Sequence, residues 1–301
     1  MCKIYKDLSI IIVTYQTKLE ILEQCLDTIQ SGIKVIIIEN SKKFENKSYI
    51  TKKYKNIKIK IYCSGKNIGY GRGNNLGLIK TKTKFALITN PDVNFSNNFF
   101  KKITKYINNK IDFSLIGVQY KDNSVWDTAG YFDKKIRVID FKNYNKINLQ
   151  KVDWIVGCCM LINLKKFKIK KVFDENYFLY YEEFDICQKL KKMNQKVYSS
   201  NDLTIKHLGF KSSQLSLVDP LEHIKLKNWH FMWSFFYYNR KNYGLVKAYK
   251  LSFGKLLRYF FKTFFYFILL NKKNYTANLF NFLGLFNSMI GKKSSFRVKK
   301  D

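Results

Sequence analysis

The sequence predicts an α/β protein: a mostly parallel sheet flanked by helices, with a helical extension at its C-terminal end. Three observations carry that prediction. Short runs made almost wholly of Ile, Val, Leu and Phe recur through the N-terminal third, as expected for strands buried on both faces. Segments with apolar residues at helical spacing alternate with them, which argues parallel pairing through crossover helices. Past Asp219-Pro220 the strand pattern stops and an aromatic, helical pattern replaces it.

Taken in order, Leu8 to Val13 is the first strand, and Leu22, Cys25, Leu26 and Ile29 fall on one face of a helix that Gly32 would end. Val35 to Ile38 is a second buried strand, closed by Glu39-Asn40-Ser41, and Ile57 to Tyr62 is a third with partial alternation. "NIGYGRGNNLGLIK" opens a short helix, and Phe85 to Ile88 makes a fourth strand that runs into Asn90-Pro91-Asp92. Ser114 to Gln119, Trp154 to Ile162 and Val197-Tyr198 read as further strands, with a helix over Tyr181 to Met193. Asp219-Pro220 is an N-cap followed by proline at the first helical position. The expected domains are therefore 1–219, with halves 1–110 and 111–219, and a basic, aromatic-rich helical region 220–301.

Composition narrows the partners. The 301 residues hold 55 Lys and Arg against 22 Asp and Glu, a net charge of +33. Such a surface suits nucleic acid, an anionic membrane or a phosphorylated small molecule. The six cysteines form no CxxC pair, which argues against a zinc site or a disulfide framework. The first apolar run is too short for a signal peptide, and no window reaches the roughly 18 apolar residues of a spanning helix. A reduced, cytoplasmic setting is the expectation.

Thr14-Tyr15, Glu39-Asn40 and Asn90-Pro91-Asp92 each lie just past the carboxyl end of a strand, the edge along which open α/β sheets bind ligands. A second acidic cluster sits at Glu182-Glu183-Asp185. Two carboxylate sites suggest two jobs: one to hold a hard divalent cation against a diphosphate, one to take a proton from a hydroxyl. Each feature also has a plain structural reading. Asn-Pro-Asp is ordinary turn chemistry, glycine-rich stretches are commonly turns, and a carboxylate at a helix start serves the dipole.

"SIIIVTYQ", "VIIIENS", "NIGYGRGNNLGL", "LITNPDV", "DWIVGCCMLI", "YFLYYEEFDICQKL" and "IKHLGFKSS" together, in this order, resemble the family 2 glycosyltransferases, most of all their rhamnosyltransferase-type branch. The resemblance spans about residues 7 to 215 and implies a GT-A fold, in which a nucleotide-binding sheet merges with an acceptor-binding half. It implies that Thr14 and Glu39 contact the nucleotide base, the family usually having Asp at the latter. Asn67, Gly69, Arg72 and Asn74 would lie along the nucleotide diphosphate, with Asn90 on the same donor side. Asp92 matches the metal-binding acid of an Asp-x-Asp motif whose first acid is Asn90 here, and His207 matches a further metal contact for Mg2+ or Mn2+. Glu183 matches the catalytic base, with Asp185 two residues on, and Trp154 an aromatic on the acceptor side.

The implied activity is an inverting transfer of a sugar, rhamnose being one candidate, from a nucleotide-diphosphate sugar to a cell-surface glycan or lipid-linked acceptor, as in lipopolysaccharide or capsule assembly. Two other readings stand beside it: a basic nucleic-acid-binding protein, which lacks any recognisable motif here, and a catalytically inactive relative acting as a scaffold. No nucleic-acid partner is expected, and a homo-oligomer is left open. Beyond Gly244, "LLRYFFKTFFYFILL" interleaves aromatics with Arg258 and Lys262, and Lys272 and Lys273 follow. That pattern suits an interfacial helix on the cytoplasmic face of an anionic membrane, the alternative being a helical pair packed on the catalytic domain or on a second copy.

Overall fold

Runs dominated by Ile, Val and Leu become the centre of a sheet. In the computed structural model, which describes residues 3–108, 111–120, 128–132, 148–209, 212 and 219–297, β1 (Leu8–Thr14), β2 (Lys34–Glu39) and β3 (Lys58–Cys63) pair in parallel. The helices α1 (Leu19–Asp27) and α2 (Lys47–Lys53) make the crossovers between them. After β3 comes α3 (Tyr70–Lys80), and β4 (Phe85–Thr89) returns parallel to β1 on its other side. A Cβ on Gly77 would stand 2.4 Å from the Ile11 side chain, so only glycine lets α3 lie this close on β1.

The other half of the sheet is assembled differently. In chain order it adds β5 (Val93–Phe95), α4 (Phe99–Asn108), β6 (Leu115–Tyr120), β7 (Ala129–Gly130), β8 (Leu149–Val152), β9 (Trp154–Ile155), β10 (Cys159–Asn163), α5 (Glu182–Lys192) and β11 (Val197–His207). The strand order is β3-β2-β1-β4-β10-β6-β11-β5, with β8 also on β11. β10 enters antiparallel to both β4 and β6. The single strand expected over Trp154 to Ile162 is in fact two: β9 pairs with β7 in a separate ribbon, and only β10 joins the main sheet. Val156-Gly157-Cys158 breaks the run, and apolar content alone could not show that break. β11 is also longer than Val197-Tyr198, because a register shift between Ser199 and Thr204 carries it on to His207.

The chain divides into two compact units: Met1–Phe173 with Ile186–Ser213, and Asp174–Asp185 with Gln214–Asp301. Residues 174–185, placed by sequence in the same domain as the sheet, group here with the C-terminal helices, and the division falls inside α5. In the first unit two apolar clusters cover the sheet, one around Leu8, Ile10, Ile12, Leu26 and Phe99, the other around Ile11, Ile88, Met160 and Cys187. At the end of that unit's first segment the Asn75 side chain clamps the backbone of Phe173, donating to its carbonyl at 2.9 Å and accepting from its N–H at 3.0 Å.

The second unit is a bundle of α6 (Pro220–Tyr243), α7 (Leu245–Ile268) and α8 (Lys272–Met289). Asp219 caps α6 by accepting from the Glu222 N–H at 3.0 Å, with Pro220 behind it. A Cβ on Gly284 would lie 2.1 Å from the Trp229 carbonyl oxygen, so α8 meets the α6 backbone directly. Residues after α8 fold back on α6: Trp233 donates to the Lys292 carbonyl, and the two His230 ring nitrogens meet Ser294 and the Phe296 carbonyl. Burial pushes His230 down to about 3, which marks it as a neutral core group.

Candidate active site

The carboxyl ends of β1 and β2 bring Thr14 and Glu39 side by side in register. Both are buried, and the Thr14 hydroxyl donates to Glu39 Oε2 at 2.6 Å. Next to them Asn40 donates to the Gly69 carbonyl at 3.0 Å. The turn into α3 is set locally: Asn67 Oδ1 accepts from the Gly69 N–H, and Gly69 adopts φ +87°, which a side chain would resist. Asn74 is fully buried and donates to the Tyr70 carbonyl. The Oδ1 atoms of Asn40 and Asn74 are buried without a hydrogen-bond partner among the described residues. Buried amide oxygens of that kind are acceptors awaiting a donor. Arg72 lies on the exposed side of the same helix turn.

Past β4, the Asn90 N–H donates to the Cys158 carbonyl and Pro91 leads to Asp92, whose side chain is wholly buried. β5 and β11 pair antiparallel with His207 opposite Val93, so the end of β11 faces the residue next to Asp92. His207 Nε2 lies 3.3 Å from Asp92 Oδ1, and its ring stacks on Tyr120 at 5.7 Å. Burial pushes the Asp92 carboxyl up, but the hydrogen bond and charge of His207, with help from Ser212, hold it below the ordinary carboxylate range. A carboxylate that stays ionised beside an imidazole nitrogen is a donor set a divalent cation can use. Among the described residues no group of three His, Cys, Asp or Glu gathers.

In the second unit the chain reaches α5 through Tyr180 and Tyr181, at φ +69° and +71°. Two consecutive tyrosines in the left-handed region cost roughly 1–2 kcal/mol each. Ring contacts hold them there, Tyr180 against Phe231, and Tyr181 against Phe231, Phe235 and Tyr238. Glu183 follows, half-buried, and burial pushes its carboxyl up to about 7 despite a hydrogen bond from its own backbone. Asp185 is engaged otherwise. It accepts from Lys241 Nζ at 2.6 Å, Asn242 at 3.1 Å and the Tyr177 hydroxyl at 3.3 Å. Lys241 also reaches Asp174 at 2.6 Å; burial alone would lower the ammonium pKa, but the two carboxylates raise it.

Thr14, Glu39, Asn67, Gly69, Arg72, Asn74, Asn90, Asp92 and His207 all belong to the first unit, and Glu183 and Asp185 to the second. Trp154 is half-buried over Gly130, where a Cβ would stand 2.6 Å from its ring. Sequence reasoning placed Asn40 on the strand-end rim without giving it a role, and missed Lys241 and the tyrosine pair. Asn40 stood inside a quoted motif and was legible; Lys241 meets Asp185 across 56 positions and was not.

A family model described as glycosyl transferase family 2 matches residues 9–169. A low-salt glycan biosynthesis hexosyltransferase of Haloferax volcanii is 26% identical over 64% of this chain and 66% of its own length. The rhamnosyltransferase WbbL of Escherichia coli K12 is 28% identical over 43% of this chain and 56% of its own. The chain thus spans less than two thirds of either relative. Among solved structures, the mannosyltransferase PcManGT of Pyrobaculum calidifontis, in complex with GDP-Man and Mn2+, superposes with a TM-score of 0.55 at 9% identity, over 94% of this chain and 86% of its own. TarS residues 1–349 of S. aureus, in complex with UDP-GlcNAc, gives 0.52 at 14%, over 97% and 94%. At these identities the likeness establishes the GT-A fold.

Proposed function

The chain belongs to glycosyl transferase family 2 and is a glycosyltransferase, and from that premise we propose that it transfers a sugar, with inversion, from a nucleotide-diphosphate donor to a hydroxyl of a glycan or lipid-linked acceptor. The observation that carries this reading is a contrast between two carboxyls, a wholly buried Asp92 beside His207 and a half-buried Glu183. Asp92 is kept ionised by His207, whereas Glu183 is left desolvated, with its pKa up to about 7. Environments that push two acids apart in this way suit one to charge stabilisation and the other to proton transfer.

In the proposed reaction Glu183 takes the proton from the acceptor hydroxyl, whose oxygen forms a bond to the anomeric carbon. The bond from that carbon to the diphosphate breaks on the opposite face, and the nucleoside diphosphate leaves. Thr14 and Glu39 would meet the nucleotide base. Asn67, Gly69, Arg72, Asn74 and Asn90 would line the diphosphate, and Trp154 would bound the acceptor side. Asp92 and His207 would hold Mg2+ or Mn2+, which when bound supplies charge stabilisation to the leaving diphosphate. The PcManGT complex with GDP-Man and Mn2+ supports this by analogy of fold. A lipid-linked acceptor would place the enzyme peripherally at the cytoplasmic face of a membrane.

Screening the purified chain against a panel of nucleotide sugars, with thermal shift and slow donor hydrolysis as readouts and Mn2+ added or chelated, tests the proposal. Stabilisation by one donor that needs the cation, together with its hydrolysis, is the expected result. Asn90, an amide where the family has an acid, favours a second reading as an inactive scaffold. Donor binding with no hydrolysis or transfer under any condition would select it.

A further inference from the structure

α7 is a helix with too much of its apolar surface outside. Ala248 and Ser252 are buried against its neighbours, with Leu256 and Tyr259 packed behind them. On its outer side Val246, Phe253, Leu257, Phe260 and Phe264 follow at the seven-, four- and three-residue spacings of a single face. Phe253 is 57% exposed, Phe260 53% and Phe264 63%, and Leu270 just past the helix reaches 88%. A patch of this kind on a soluble surface marks an interaction site.

Charge says what covers it. Between Glu222 and Asp301 the sequence has no acidic residue at all. On α7 the exposed Lys250 falls within the phenylalanine stripe and Lys247 and Arg258 flank it, and Lys272 and Lys273 stand at the start of α8. A second copy of this chain would bring the same cations against each other. A nucleic acid would satisfy the cations and leave the phenylalanines in water. No helix among the described residues is long and apolar enough to cross a membrane. An interfacial bed satisfies both kinds of side chain at once, with the rings at the acyl boundary and the cationic groups drawn back to phosphate.

We propose that the outer face of α7 is a docking surface for an anionic lipid leaflet, on which the helix lies in the plane of the headgroups. This deepens the membrane-facing part of the proposed function and rests on that reading for its purpose, which is to meet a lipid-linked acceptor where it is presented. The second unit is built for that purpose. Tyr181, two residues before Glu183, contacts Phe231 and Phe235 of α6. Lys255 of α7 in turn sits 5.3 Å over the Phe235 ring. Side-chain contacts thus link α7, through α6, to the turn that carries Glu183 within one unit.

The test uses the full chain and vesicles of stated composition. It is floated with vesicles of phosphatidylcholine alone and with vesicles half phosphatidylglycerol, at low and high salt, while soluble-donor hydrolysis is followed separately. The expected result is capture by the anionic vesicles only, incomplete release by salt, and roughly a hundredfold weaker partitioning of the Phe260→Glu/Phe264→Glu variant at unchanged melting temperature and hydrolysis. Failure to bind anionic vesicles at low salt overturns the proposal, and so does binding that the variant leaves intact. A dimer that the variant dissolves would assign the face to a second copy, and binding fully displaced by single-stranded oligonucleotide would assign it to nucleic acid. Vesicle binding without hydrolysis would strike the transfer reading alone, and hydrolysis without vesicle binding this one alone.

Discussion

The strand-end rim around Asp92 and the turn around Glu183 each hold a carboxyl, and they treat it in opposite ways. Asp92 has the less exposed side chain, yet its carboxyl is held below the ordinary range because an imidazole and a hydroxyl are aimed at it. Among the described residues Glu183 has just its own backbone N–H to offset the loss of water, and its pKa climbs to about 7. Depth of burial is therefore a poor guide to the state of a carboxyl; the partner supplied with the burial decides it.

The sharpest way to break the comparison is Glu183→Gln. It keeps shape and removes basicity, so turnover should fall by something like 10²- to 10⁴-fold while donor-induced thermal shift persists. In the wild type turnover should rise with pH through about 7 as Glu183 ionises. The folded pKa lies above the unfolded value of 4.5, so the stabilisation present below that value is lost as pH rises through about 7. The melting temperature of the Gln variant should gain on the wild type across that window, and a flat difference would remove the desolvation argument.

Next come Asp92→Ala and His207→Ala. Each should weaken Mn2+ binding, read by the electron spin resonance of free Mn2+, by roughly 10- to 100-fold, and donor affinity with it. Equal donor binding by both variants in chelator would show that the pair serves structure alone. Gly284→Ala should lower stability by about 2 kcal/mol through the clash with Trp229, with donor binding in the sheet unit unchanged. The smallest change in turnover belongs to Asp185→Asn, within about tenfold of wild type, because Asp185 is occupied by Lys241, Asn242 and Tyr177. A collapse of turnover there, with Glu183→Gln active, would exchange the two roles.

What could be read from the sequence follows the range of the forces involved. β1, β2 and β4 were legible because a strand buried on both faces must be apolar throughout. Asp92 on its own stretch read as ordinary turn chemistry, and only the other motifs, in their order along the chain, singled it out. The break between β9 and β10 was not legible, since Val156-Gly157-Cys158 keeps the apolar composition of its flanks. Nor was the occupation of Asp185, which depends on α6 returning to it. The left-handed tyrosines carry no local signature: tyrosine is a poor choice for that conformation, and ring contacts from α6 hold them in place.

The Asn75 clamp on Phe173 bears on the order of events in folding. It joins positions 98 apart in sequence and sits at the end of the sheet unit's first segment, where the chain departs. A contact so distant along the chain can close only once the entropy of the intervening loop has been offset by the nearer pairings of β1, β2 and β4. On that ground Asn75→Ala should speed unfolding and leave the folding rate almost untouched, which the two arms of a denaturant chevron would check. Asn75 thus acts less as a contributor to the route into the fold than as a latch that lengthens the lifetime of the finished one.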